Sequence, residues 1–411
     1  MKRGLKQEEK IVCRLLSEAL HGEKKSCQAK TGQQTGQKEL IEPELWAKTM
    51  KIAENHRILP LLYDVVKQKN LLQGAAWENF ERECRKTVQQ SYRLLFLSRF
   101  LTEYMEEQGI PVILLKGCTA AEYYPVPELR KSGDIDLLMR NEKEARQACD
   151  ALAQKGFVQE KSLANHHINC VSPDGICVEL HNMLAEPFDK SEVNSYLDSL
   201  IPSCFEKKEE REAMGVMFPT LSPPYQAFYL LLHMLQHFLR AGFGLKLLCD
   251  WVVFWERKMS EQGKRELLFM LKESGIYGFA QMITAVCVQY LGMSAQNTDF
   301  LMEGAKLTER ITESFMREIL EAEEFGKSSK DRMVIPRGSS PGAFFREFHH
   351  QTMLTYPKEK QYVILWPVLW VKMLFGFWYR NRKIRRVSGI SILKKAGERG
   401  ALAKHLHLFE K

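Results

Sequence analysis

The chain has 411 residues, enough for two or three domains and a substantial apolar core. With 45% hydrophobic and 27% charged residues it fits an ordinary soluble globular protein. The net charge of +8 is carried by the tail: residues 372–411 hold eleven Lys or Arg against two Glu, a net +9, which leaves about −1 for the rest and argues against a long nucleic-acid groove across the body.

The start, Met1-Lys2-Arg3-Gly4, leads into a charged helix and not into an apolar signal segment, so a cytoplasmic location is expected. Ten cysteines are scattered singly without a C-x-x-C pair; Cys170 and Cys177 are the closest, and reduced thiols are the expected state.

In chain order, residues 1–38 read as an amphipathic helix, Glu8 to Leu20, and a polar link from His21 to Gln37. Residues 39–109 read as a helical domain. Glu42-Pro43-Glu44 marks a helix start, with Pro in the first turn and acids at the positive end of the dipole. Trp77 to Gln108 is one long helix with Phe80, Cys84, Val88, Tyr92 and Leu95 at helical spacing.

Residues 110–215 form a mixed core. Val112 to Leu115 is a short β-branched run set off by Gly109-Ile110-Pro111, the signature of a buried strand. Lys116-Gly117 ends it and a short helix follows. In Gly133-Asp134-Ile135-Asp136-Leu137-Leu138-Met139 the apolar residues alternate with Asp134 and Asp136, so both carboxylates lie on one strand face. Side by side they repel unless a cation sits between them, and hard oxygen donors suit Mg²⁺. A solvated strand face is the plainer reading of a bare D-x-D; here the motif follows a strand–Lys-Gly–helix element with Arg130 between.

Asn141 caps a helix to Lys155, which Gly156 ends. Three strand-like runs follow, residues 157–159, 166–172 and 176–182, the last two joined by the hairpin turn Pro173-Asp174-Gly175. Ile176, Val178 and Leu180 alternate toward the core, so Glu179 faces the other way with His181. If this strand lies beside Asp134 and Asp136, Glu179 becomes a third carboxylate of the same cluster.

Residues 216–325 read as a second helical domain, with helices from Tyr225 to Ala241, Leu245 to Lys258 and Lys264 to Glu273, and breaks at Gly242 and Gly244. Residues 326–342 read as a polar loop. Residues 343–411 hold an apolar aromatic stretch, 362–379, and the basic run Arg380-Asn381-Arg382-Lys383-Ile384-Arg385-Arg386. The favoured reading of that stretch is a buried helix closing the bundle. Peripheral membrane contact through 362–386 is the second, and a span the third, since eighteen residues with Lys372 inside are marginal.

Leu115-Lys116-Gly117, Tyr124-Pro125, Arg130 and Gly133-Asp134-Ile135-Asp136-Leu137-Leu138 follow one another as in a bacterial uncharacterised nucleotidyltransferase family, and the sequence resembles that branch of the DNA polymerase beta-type superfamily from about residue 40 to 380. The resemblance implies an α+β fold, a small mixed sheet with helices, flanked by N- and C-terminal helical domains. It implies a metal-dependent transfer of NMP from an NTP to an acceptor hydroxyl with release of pyrophosphate. It implies two Mg²⁺ ions, with Mn²⁺ as alternative, on Asp134, Asp136 and Glu179, the last as ligand or general base. It places Lys116, Gly117, Thr119, Arg130 and Gly133 on the nucleotide. The superfamily's Gly-Ser is here Gly117-Cys118-Thr119, so Thr119 stands in for the serine.

His166, His167 and His181 are candidates for the acceptor pocket, although strand histidines are more often packed. His233 and His237, i and i+4 on one helix, suit zinc poorly because position 234 is Met; facing the pocket, which the resemblance implies through the family's H-x-x-x-H followed by an Asp, here Asp250, and a structural role are the stronger readings. The rival functions are a non-catalytic nucleotide-binding module and a membrane-surface accessory protein of a biosynthetic pathway. The acceptor, whether small molecule, protein or RNA end, has no signature in the sequence.

Overall fold

A computed structural model describes residues 4–21, 42–160, 167–188, 190–240, 242–323 and 361–379, with isolated positions between 342 and 409. The expected link between His21 and Gln37 beyond its first residue, the loop 326–342 except Gly342, His166 and the basic run 380–386 lie outside the described residues.

The centre is a seven-stranded mixed sheet: β1 Ile113–Leu114, β2 Asp134–Leu138, β3 Val158–Gln159, β4 His167–Val171, β5 Cys177–His181, β6 Glu209–Ala213 and β7 Val216–Thr220. The spatial order is β3-β4-β5-β2-β1-β7-β6. Strands β2 and β5 run parallel, with Asp136 opposite Glu179 and Leu138 opposite His181. Strand β1 is antiparallel to β2 on its other side, and β4 and β5 form the hairpin turned by Gly175, whose φ of +78° suits glycine.

The two faces of the sheet bury different things. Leu114, Ile135, Leu137, Met139, Val178 and Leu180 pack with the C-terminal half of α4 (Gly74–Glu107) and with α6 (Glu142–Ala153). Ile113, Leu115 and Leu138 face a larger helical cluster. Each fully buried aliphatic side chain is worth about 1.5–3 kcal/mol, so the register is firmly held. A slip by one residue would put the carboxylates of β2 into the apolar layer.

The helical cluster draws on both ends of the chain. It includes residues of α1 (Gln7–His21), α2 (Pro43–Asn55), α9 (Pro223–Arg240), α10 (Leu245–Phe254), α12 (Tyr277–Leu291) and α13 (Glu309–Ala322). The helices expected on either side of the sheet therefore share one apolar core. Between them run α3 (Tyr63–Gln68), α5 (Cys118–Ala121), α7 (Ser191–Ser199), α8 (Ile201–Glu206) and α11 (Glu261–Glu273).

Two features depart from expectation. The sheet runs on through β6 and β7 to Thr220, across the boundary expected at residue 215, which falls on the hairpin turn Met214-Gly215. The apolar stretch forms α14 (Trp366–Tyr379), but Ile364, Val368, Val371, Leu374 and Phe375 are exposed, Ile364 at 87%. That stretch does not close the bundle as a buried helix; among its described side chains Leu369 is buried, and Trp370 donates to His349 Nδ1 at 3.1 Å. The nine described cysteines carry free thiols, and Cys149 and Cys170 lie 3.5 Å apart, sulfur to sulfur.

Candidate active site

The carboxylates of β2 point toward the helical side because Ile135 and Leu137 take the opposite face. Asp134 is partly open to solvent, whereas Asp136 is fully buried. Parallel pairing sets Glu179 of β5 beside Asp136. Asp134, Asp136 and Glu179 each offer an oxygen within 4.8 Å of the others.

Two cations lie among these anions. Leu115 N donates to Asp136 O at 3.0 Å, which extends β1 alongside β2 up to Lys116. The Lys116 Nζ then reaches 3.3 Å from Asp134 Oδ2 and 3.2 Å from Asp136 Oδ1. His181 Nε2 lies 3.1 Å from Asp136 Oδ1 and 3.2 Å from Glu179 Oε2. Burial alone would lower the His181 pKa, but the hydrogen bonds to Asp136 and Glu179 outweigh it and hold it up at about 9. The Lys116 charge lowers Asp134 to about 2. Burial raises Asp136 above the ordinary carboxylate range. Glu179 is pushed up by burial, yet His181 and Lys116 bring it down to about 2.

One atom of the cluster is left over. Asp136 Oδ2 is buried and accepts no hydrogen bond. A buried carboxylate oxygen without a donor costs roughly 1–3 kcal/mol, so it marks a place where a positive group fits. Together with two further hard oxygen donors, it fits a divalent cation.

A cleft of about 270 Å³ opens over the cluster, lined by Lys116, Gly117, Gly133, Asp134 and Glu179 on the sheet side. Tyr229, Leu230 and His233 of α9, Lys246, Leu247 and Asp250 of α10, and Arg57 line the helical side. Gln226 Nε2 of α9 donates to Leu115 O at 3.2 Å and ties the two sides together.

Other expected residues fall differently. Gly117 lines the cleft at φ +80°, ψ −116°, a conformation that residues with a Cβ rarely adopt. Arg130 reaches the cleft, but its fork is held by Asp250: Nε to Oδ1 and Nη2 to Oδ2, each at 2.7 Å. Its Nη1 donates to Ser132 Oγ at 2.5 Å and to Gly117 O at 3.4 Å, so it braces the glycine turn. Thr119 is buried with an unpartnered hydroxyl and does not line the cleft. His167 pairs across the sheet with His181, ring centroids 5.3 Å apart; with Glu179 these two form a second three-ligand group. His233 lines the cleft, and His237 stacks edge-on behind it at 4.5 Å.

Sequence reasoning missed Tyr229, Lys246 and Arg57. Helical spacing held a signal for the first two: Tyr229 stands four residues before His233, and Lys246 four before Asp250. Arg57 has none, since it follows the end of α2 and arrives through tertiary packing.

Residues 42–292 match a family described as uncharacterised nucleotidyltransferase. The chain belongs to that family. Its nucleotidyltransferase match spans the whole sheet and the helices α9 to α12. No curated protein matches the sequence. A solved structure of a CCA-adding enzyme in apo form II is similar at 11% identity, over 76% of this chain and 82% of that one, with a TM-score of 0.21, too low to carry an argument. No helix among the described residues is long and apolar enough to cross a membrane.

Proposed function

We propose that the chain transfers a nucleoside monophosphate from an NTP to an acceptor hydroxyl. The acceptor oxygen bonds to the α-phosphorus, the bond from that phosphorus to the β-phosphate bridge breaks, and pyrophosphate leaves as the hydroxyl gives up its proton. The observation that carries this is the meeting of Asp134, Asp136 and Glu179 on one sheet face, with a buried oxygen of Asp136 left without a donor.

Asp134, Asp136 and Glu179 are the residues to hold the divalent cations, Mg²⁺ by donor hardness with Mn²⁺ as the alternative. When bound, such ions lower the pKa of an attacking hydroxyl and neutralise charge on the phosphates. A carboxylate held as low as Glu179 is a weak proton acceptor, so its role reads as ligand before base. Lys116 is placed to balance charge in the cluster, and Gly117 lets backbone approach a phosphate closely. The rival reading, a binding module without chemistry, has to account for three carboxylates kept together at an energetic cost.

The test is incubation with Mg²⁺ and each α-labelled NTP, alone and in cell extract, beside an Asp134→Ala/Asp136→Ala variant. Label moving to a product, and lost in the variant, supports transfer and names the NTP. Bound NTP with no label moving in any extract would leave the binding module as the reading.

A second, compatible reading concerns α14. Val368, Val371 and Phe375 are exposed apolar residues of that helix, with Ile364 exposed just before it, and five Lys or Arg follow within residues 380–386. An apolar face followed in the sequence by a basic run suits the surface of an anionic bilayer. Cosedimentation with phosphatidylserine vesicles, lost in Val368→Glu/Val371→Glu, is the expected result; equal binding by the variant would contradict it.

A further inference from the structure

The polar face of the sheet does not end at the cleft. Strand β5 presents Cys177, Glu179 and His181 there, and β4 adds His167 and Asn169 beyond them. Glu179 belongs to two groups of convergent donors. One is the carboxylate cluster with Asp134 and Asp136. The other is His167, Glu179 and His181, whose ligand atoms also lie within 4.8 Å of one another. The transfer proposed above draws on the first group and leaves His167 without a task.

Register builds the second group. Strands β4 and β5 are antiparallel, with His167 directly opposite His181 and Asn169 opposite Glu179. Residues opposite one another in such a pair have Cβ atoms about 4.5–5.5 Å apart, so two imidazoles on one face converge without bending either strand. The rings do so here, with centroids 5.3 Å apart and planes inclined at 48°. Ile168, Cys170, Val178 and Leu180 pack into the apolar layer on the other face, so neither strand can slip and carry a histidine away. His181 Nε2 stands 3.2 Å from Glu179 Oε2. Two ligands of a tetrahedral zinc ion, each at about 2.0–2.2 Å, stand roughly 3.3–3.6 Å apart. A hydrogen-bonded pair and a metal-bridged pair thus need nearly the same spacing, and rotation of the His167 side chain closes the third side.

Donor chemistry separates the two groups. Carboxylates alone are hard oxygen ligands, whereas two imidazoles with one carboxylate suit borderline transition ions, Zn²⁺ foremost. Three protein ligands also leave a coordination position open for water. One polar atom stands ready beside it: Asn169 Oδ1 is buried and accepts no hydrogen bond from the described residues. A buried oxygen in that state is a natural acceptor for a bound water. We propose that His167, Glu179 and His181 form a second metal site, for a divalent ion of the Zn²⁺ class, beside the carboxylate cluster. Glu179 is common to both groups, so an ion at the histidines fixes the carboxylate that the first group shares. The proposal goes beyond the transfer reading and is tested without nucleotide.

The test uses the full chain, stripped of metal and dialysed into excess Mg²⁺, with Zn²⁺ competed against a chromophoric chelator. One Zn²⁺ per chain should bind despite the Mg²⁺. His167→Ala should weaken that binding at least about 10- to 100-fold, the loss that even an outer partner of a metal ligand causes when removed. Asp134→Asn, outside the histidine group, should keep a Zn²⁺ affinity close to that of the wild type. His181→Ala also breaks the bridge between Asp136 and Glu179, so His167→Ala is the deciding variant, with its melting temperature read beside its affinity. Co²⁺ in place of Zn²⁺ reports the donors in the unaltered chain. Visible bands without a thiolate charge-transfer band mark nitrogen and oxygen ligands; a thiolate band would put the ion on a cysteine and overturn the proposal. So would the absence of Zn²⁺ binding, equal binding by His167→Ala, or a loss in Asp134→Asn as large as in His167→Ala. Label transfer from an NTP in Mg²⁺ remains a separate check, so the second site can fail while the transfer reading stands.

Discussion

Arg130 and Asp250 meet as a bidentate pair, both nearly fully buried, across 120 residues of sequence. Tyr124 adds its hydroxyl to Asp250 Oδ1 at 2.7 Å. The pair joins the loop before β2 to α10, and so fixes the sheet wall of the cleft to the helical wall. Removing one partner strands a buried charge, at a cost of about 3–5 kcal/mol, whereas replacing both with apolar side chains is often close to neutral. Asp250→Ala should therefore lower the urea midpoint sharply, and Arg130→Met/Asp250→Leu should regain much of the loss. A double variant as weak as the single one would contradict this account.

Gly117 is a second structural hinge of the site. A Cβ there would find space, since its nearest neighbour is Asp134 O at 3.8 Å. The difficulty is the backbone, at φ +80° and ψ −116°. Gly117→Ala should cost about 1–3 kcal/mol through strain alone. It should also weaken tripolyphosphate binding if the turn gives way. Thermal unfolding of the variant, read beside that binding, separates the two; a variant as stable as the wild type would mean the turn tolerates a side chain.

How far the sequence foretold this site varies by residue. The alternation of Asp134 with Ile135 and Leu137, and of Glu179 with Val178 and Leu180, was legible because burying one strand face forces period two. The strands β6 and β7 were not: Glu209-Glu210-Arg211-Glu212 has no apolar alternation, and β6 is an edge strand with mostly exposed side chains. Arg130 read as a phosphate cation because its buried partner lies on a distant helix. Arg57 was invisible, since nothing local tells an arginine after a helix from any other. The apolar run around Trp366 read as core by composition, which cannot distinguish a buried helix from an exposed apolar face.

Glu179 is opposite Asp136 in register and shares His181 with it. Glu179→Gln keeps the shape and removes one negative charge. On the proposed transfer reading Glu179 helps hold a cation worth several kcal/mol to the transferring phosphate, so label transfer should drop by roughly 10²–10³-fold. Mg²⁺ affinity, read by titrating activity or intrinsic fluorescence, should fall with it. Unchanged transfer would remove Glu179 from the site and leave Asp134 and Asp136 alone.

His237 sets a pH dependence of stability. Burial lowers its pKa, the charges of Lys116 and Lys246 add to this, and the result is about 3. His233, beside it, is lowered well below its ordinary range for the same first reason. In the unfolded chain a histidine takes its proton near the ordinary 6.5. Between 6.5 and 3 the unfolded state thus holds more protons, so stability rises with pH across that window and is lost as pH falls through it. Each such histidine contributes a slope of up to about 1.4 kcal/mol per pH unit. Urea midpoints of the metal-free protein between pH 7 and pH 4 should fall steeply, and His237→Gln should flatten the curve. If the variant lost stability in parallel with the wild type, the imidazole would have to accept its proton within the fold, and burial beside Lys116 and Lys246 would not be keeping it neutral.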